Sequence, residues 1–160
     1  MKRAPQTLVI GVGNPLRGDD GVGHVVTRAL RRLNLPNVSV REESGESAAL
    51  IEAWKNAENV IVIDAAQSGS APGIIHRFDA SCGPIPARFF HCSTHGLSAA
   101  EAIELARSLN QLPPRLILFG VEGRDFGVGE TLSPEVAGAV DELVNRLRTQ
   151  LKGAYERTRT

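Results

Sequence analysis

TLVIGVGNPLRGDDGVG, residues Thr7 to Gly23, runs from an apolar strand through a Gly-rich loop with two adjacent carboxylates and directly into a helix. Leu8, Val9 and Ile10 are apolar without alternation, as a strand buried on both faces of a helix-covered sheet requires. The glycines that follow let the backbone turn tightly and approach a partner where a Cβ would clash. Asp19 and Asp20 precede the helix, where a carboxylate either caps orphan N–H groups or faces outward toward a cation. Capping accounts for one of them. Two adjacent carboxylates call for two explanations.

Other Gly-rich loops fit less well. A dinucleotide fingerprint needs glycine at its sixth position, and Leu16 stands there. A phosphate loop of the nucleotide-hydrolase type ends in Gly-Lys-Ser/Thr, and this loop has no Lys, while its acids would repel phosphate. The loop suits a cation.

The length of 160 residues fits one domain, expected over residues 1–152, with 153–160 a frayed polar tail. Eighteen Lys and Arg balance eighteen Asp and Glu, so no basic field exists to draw nucleic acid. No apolar run approaches the roughly 20 residues of a membrane span, and no charged-then-apolar leader opens the chain. A cytoplasmic protein is the expectation, and a monomer. The two cysteines, Cys82 and Cys92, form no framework, in keeping with a reducing compartment.

Val22, Val25, Val26, Ala29, Leu30 and Leu33 recur at helical spacing up to Pro36, which is expected to end the first helix. Asn37 to Glu43 reads as a second strand, and Ser47 to Lys55 as a second helix. Glu42, Glu43 and Glu46 cluster between them, as a solvated loop or a wall of the site. Asn59 to Ala65 is the clearest strand, β-branched almost throughout, and Asp64 closes it at its carboxyl end, where open α/β sheets bind ligands. If the first and third strands are neighbours, Asp20 and Asp64 meet. Ile74 to Phe78 follows too closely for a helical crossover and reads as antiparallel. Ser81 to Thr94 lacks periodicity and is expected to be a mobile loop whose Phe89 and Phe90 either grip an extended peptide or pack on the core. His95 comes next, in the turn before a capping box, Ser98 to Glu101, that opens a helix to about Asn110. Arg115 to Val121 is a fifth strand, and Ser133-Pro134-Glu135 opens the last helix.

The alternation predicts an α/β protein, a three-layer α/β/α sandwich around a five-stranded mixed, mostly parallel sheet. Two carboxylates and an imidazole on loops after strands one, three and four make an O,O,N ligand set with open positions, the pattern of a catalytic metal. A Cys92–His95 pair is the rival, a cysteine hydrolase. A non-catalytic chaperone that binds a metal and a protein partner without changing either is a third reading.

Taken together, GVGNPLRGDDGVG, VIVIDA and STHGL, in this order, resemble the hydrogenase maturation protease family over Leu8 to about Leu147. The resemblance implies a phosphorylase/hydrolase-like fold with strand order 2-1-3-5-4. It also implies an endopeptidase that removes the C-terminal extension of a nickel-iron hydrogenase large-subunit precursor after nickel insertion. The metal-contacting positions carried over are Asp20, Asp64 and His95. They would class the enzyme as aspartic-type or nickel-directed, with the nickel carried by the precursor and no organic cofactor. Two positions depart from the pattern. The loop acid is often Glu in the family, so Asp20 reaches about 1.5 Å less, and the loop after strand two reads Glu-Glu-Ser-Gly where Asp-Gly-Gly-Thr is usual.

Overall fold

The structure, a computed structural model, describes residues 6–90 and 98–159. Five strands form one sheet: β1 (Thr7–Val12), β2 (Val38–Glu43), β3 (Asn59–Ala66), β4 (Ile75–Asp79) and β5 (Arg115–Glu122). Their order is β2-β1-β3-β5-β4, parallel except for β4, which runs antiparallel to β5. This is the order that the family resemblance implies, with the antiparallel strand where the short connection after the third strand predicts it. The turn between β3 and β4 is too short to carry a crossover helix, so β4 returns along the edge.

Side-chain alternation along the central strands divides the core in two. Ile10, Val60, Val62, Leu116 and Leu118 face α2 (Ser47–Ala53) and α3 (Ala99–Ser108), where Leu50, Trp54 and Ile103 are fully covered. Val9, Ile61, Ile63, Ile117 and Phe119 face α1 (Val22–Arg32) and α4 (Pro134–Arg159), where Val26, Leu30, Val136, Leu143 and Leu147 complete the second layer. Both faces of the sheet are thus apolar, which is why its strands read as unbroken hydrophobic runs.

Several boundaries differ from the expected ones. The first helix ends at Arg32, before Pro36, because Asn34 adopts φ +47° and turns the chain out of the helix. Asn56 and Asn110 do the same after α2 and α3, with φ +66° and +59°. The last helix does not stop at residue 152: it continues to Arg159, through the stretch expected to fray. Gly153 costs a helix only about 1 kcal/mol, and the residues after it include no Pro to break the hydrogen-bond ladder.

The long segment after β4 is tied down over residues 81–90. Ile85 N–H donates to Glu104 Oε1 at 3.0 Å, and Arg107 Nη2 donates to the Gly83 carbonyl at 2.9 Å. Phe89 is buried in a 3-10 turn, edge-on to Phe78 with ring centroids 4.7 Å apart. The aromatic pair therefore splits: Phe89 packs on the core and Phe90 stays partly exposed. Residues 91–94 of the expected loop lie outside the described residues.

The site end of the sheet depends on a close backbone crossing. A Cβ at Gly23 would lie 2.4 Å from the Ile63 carbonyl oxygen and 2.7 Å from that of Val12, so α1 can enter against β1 and β3 only with glycine there. Gly23→Ala is accordingly expected to destabilise the fold by about 3 kcal/mol, the upper part of the overpacking range, because the obstructing atoms are backbone. Thermal melting checks it; a melting temperature equal to that of the parent would contradict the crossing.

Candidate catalytic centre

The loop after β1 is built from its own polar groups. Asn14 N–H donates to Asp20 Oδ2 at 2.8 Å, and Asn14 Oδ1 accepts from Leu16 N–H at 2.9 Å, closing an Asx turn that brings the chain back on itself. Gly13, at φ +134°, lies so close to the Asp20 carbonyl that a Cβ there would be 2.0 Å from its oxygen. The 3-10 turn Gly18–Gly21 then sets Asp19 and Asp20 on opposite tasks.

Asp19 is fully buried, and it is the structural member of the pair. Its Oδ2 accepts from Arg124 N–H at 2.8 Å, Asp125 N–H at 2.9 Å and the Ser133 hydroxyl at 2.8 Å, and its Oδ1 from Ser133 N–H at 2.8 Å. Burial works against its charge, yet the backbone donors of Asp125, Ser133 and Arg124 and the Ser133 hydroxyl prevail, holding its carboxyl below the usual range. Asp19 thus clips the β5–α4 loop and the start of α4 onto the β1 loop. Half-buried Asp20 is the other member, held within its own loop by the Asn14 N–H.

Asp64 stands where the sequence placed it, at the carboxyl end of β3 beside β1, and is 7% exposed. Oδ1 accepts from Ala65 N–H at 2.8 Å and Oδ2 from Ala99 N–H at 2.9 Å, the first residue of α3. Burial is the main reason its carboxyl is pushed up to about 7, and the charge of Asp20 adds to it, against the lowering effect of the Ala99 and Ala65 donors. The two carboxylates are therefore near enough to repel one another. Among the described residues no group of three or more His, Cys, Asp or Glu is gathered around a metal position. His95 and Cys92 lie outside the described residues, so the third ligand and the rival nucleophile are not placed. The capping box after them is present, with Ser98 Oγ accepting from Glu101 N–H at 3.3 Å.

The acids after β2 are not further ligands. Glu42 is held by Arg28 at 2.9 Å and Arg31 at 3.7 Å, and Glu43 by Arg41 at 3.3 Å. The Arg28 hydrogen bond is the main cause holding the Glu42 carboxyl below its ordinary value. Nor does Glu46 cap α2 through its side chain. Cys82 is an exposed free thiol whose pKa is raised by its bond to Asp79, which leaves it a poor nucleophile.

One polar cluster went unread in the sequence. Glu122, 2% exposed at the end of β5, accepts from Ser68 N–H at 2.7 Å, Ser70 N–H at 3.1 Å and the Ser68 hydroxyl at 3.0 Å, with His76 Nε2 at 3.3 Å. It fixes the turn that follows Asp64. An acid closing a buried strand was the available signal, the same one that marked Asp64. At the opposite end of the sheet a depression of about 350 Å³, lined by Arg77, Arg115 and Tyr155 among others, contains neither carboxylate nor imidazole and offers no comparable chemistry.

Comparison with known proteins identifies relatives over nearly the whole chain. The family described as hydrogenase maturation protease matches residues 24–150, a span that includes Asp64 and begins just after the loop of Asp20. The chain is 32% identical over 152 residues to the hydrogenase expression/formation protein HupD of Rhodobacter capsulatus, covering 89% of this chain and 71% of that protein. It is 28% identical over 151 residues to the hydrogenase 2 maturation protease of Escherichia coli, covering 91% and 90%. Its fold superposes on the hydrogenase maturating endopeptidase HybD from E. coli with a TM-score of 0.75, at 25% identity and 93% coverage of both chains. Among the described residues no helix is long and apolar enough to cross a membrane.

Proposed function

This chain belongs to the hydrogenase maturation protease family, and on that premise we propose that it removes the C-terminal extension of a nickel-iron hydrogenase large-subunit precursor once nickel is in place. It is a hydrolase, an endopeptidase. The nickel belongs to the precursor, and Asp20, Asp64 and His95 are the side chains that contact it. The observation that carries this reading is the carboxylate pair. Burial chiefly, with the Asp20 charge adding to it, raises the pKa of Asp64 although it has backbone donors, so a divalent cation beside the pair would offset a charge the site disfavours. A cation held there polarises the scissile carbonyl or lowers the pKa of a bound water. The chain's own part is to present two carboxylates at fixed positions: Asp20 through the Asn14 bond, and Asp64 through the first turn of α3. A carboxyl near 7 also favours a second reading, in which Asp64 exchanges a proton with the attacking water and nickel is needed neither for the chemistry nor for recognition.

Incubating the protein with purified precursor, nickel-loaded or nickel-free, separates these readings. Cleavage of the loaded form alone, unaffected by thiol alkylation or by Cys92→Ser, is the expected result. A shortened product from both forms at equal rates would favour the acid–base reading, and loss of cleavage in Cys92→Ser would favour the cysteine hydrolase. No shortened product from either form would leave a binding chaperone.

A further inference from the structure

Glu122 is a buried acid with no part in the carboxylate pair, and Ser68, Ser70 and His76 surround it. A serine, a histidine and a glutamate gathered this closely suggest a second hydrolytic triad, and the geometry excludes one. In a triad the histidine meets the hydroxyl through one ring nitrogen and the acid through the other. Here His76 Nε2 faces both, Ser68 Oγ at 3.4 Å and Glu122 Oε2 at 3.3 Å, while the Ser68 hydroxyl donates straight to Glu122 at 3.0 Å. A carboxylate accepts, so Nε2 is the donor and is not free to take a proton from the serine. The cluster holds groups in place.

Strand register decides what it holds. Asp64 stands opposite Gly120 across β3 and β5, and His76 stands opposite the same Gly120 across β4 and β5. Asp64, Gly120 and His76 therefore form one row over three strands, on the face that packs against α3. Gly120 puts no side chain between the aspartate and the imidazole. The Phe89 ring meets that of His76 edge-on, with centroids 4.8 Å apart, and Phe89, Phe78, Gly120 and Asp64 line one small cavity. Phe89 belongs to a three-residue 3-10 turn without a side-chain cap, so its ring depends on its neighbours for its place. An edge-on contact requires a fixed ring plane. The bond from Nε2 to Glu122 fixes the plane of His76.

We propose that Glu122 and His76 are positioning residues of the catalytic centre: the carboxylate orients the imidazole, the imidazole seats Phe89, and Phe89 walls the cavity beside Asp64. The proposal rests on the function given above. Neither residue touches the reacting atoms, so the pair acts on the rate of the chemical step and leaves precursor binding alone.

The test is cleavage kinetics of nickel-loaded precursor by His76→Phe, which keeps a ring and loses the Nε2 donor, by Phe89→Leu and by the double variant, each assayed well below its melting temperature. The expected result is a kcat lowered at least tenfold in each single variant with KM within twofold of the parent. The double variant should lie within twofold of the worse single, because both act along one path. A parent-like kcat in His76→Phe, a loss confined to KM, or losses that multiply in the double variant would each overturn the proposal. If Phe89→Leu does not fold, the kcat and KM of His76→Phe decide alone. A parent protein that cuts no precursor would sink the endopeptidase reading separately. The carboxyl carbon resonance of Asp64 at one fixed pH then decides the positioning: displaced in His76→Phe it upholds the pair, and unmoved it overturns it.

Discussion

Replacing Asp64 by Asn is expected to stop precursor cleavage and to flatten the fall in stability of the free protein toward alkaline pH. The Asp64 carboxyl rises from an ordinary value of 3.8 to about 7 in the fold, chiefly through burial. Between those values the folded chain keeps a proton that the unfolded chain has released, so stability declines as pH rises from about 4 to about 7 and stays low above. The full difference is on the order of 4 kcal/mol. Asn has no such proton. It has one carbonyl oxygen for the two N–H donors of Ala65 and Ala99, a loss of about 1 kcal/mol that does not vary with pH. Measured by denaturant unfolding at pH 5 and pH 8, the variant should gain about 3 kcal/mol on the parent between the two. Parallel stability curves would mean that Asp64 is not held in the buried, charge-opposed position described.

The other large effect belongs to Asp19. Asp19→Ala leaves two backbone N–H groups of the β5–α4 loop and both donors of Ser133 without their acceptor. Removing one member of a buried charged network costs on the order of 3 to 5 kcal/mol, which for a domain of this size lowers the melting temperature by about 10 °C. Because the Asp19 carboxyl is held below 3.8, its contribution is present above that value and is lost only as pH falls through the lower native pKa. The parent should therefore keep this contribution down to about pH 4, and the variant should lack it throughout. A variant melting within 2 °C of the parent would show that the clip is not needed to hold the loop. The contrast with its neighbour is informative: two adjacent aspartates, one needed for folding and one for chemistry, should separate in a melting assay.

What could be read in the sequence was whatever local pattern alone determines. The unbroken runs of β1 and β3, the short return to β4 and the capping box at Ser98 fix element types and the sheet's layers, and Asp64 follows from an acid at the end of a buried strand. The family resemblance gave Asp20 a metal-contacting role, while Asp19 was left with no more than the general expectation that one of the two carboxylates caps. Asp19's donors, Arg124, Asp125 and Ser133, come from the far end of the chain, and no local spacing announces a bond across that distance. Phe89 was ambiguous for the same reason, since its partners Phe78 and His76 belong to another element. The end of α4 was misjudged on polarity: a polar tail with one Gly reads as frayed, yet helix formers on both sides of Gly153 carry the ladder through.

The central claim is that Asp20, Asp64 and His95 act as one ligand set on the precursor's nickel. Cleavage of nickel-loaded precursor by Asp20→Asn, Asp64→Asn and His95→Ala, each paired with its own melting curve, tests it most directly. The account predicts at least a hundredfold loss of cleavage in every variant, about 3 kcal/mol or more in the transition state, with the folds of Asp20→Asn and His95→Ala intact to within about 1 kcal/mol. Parent-like cleavage by any two of the three would contradict it.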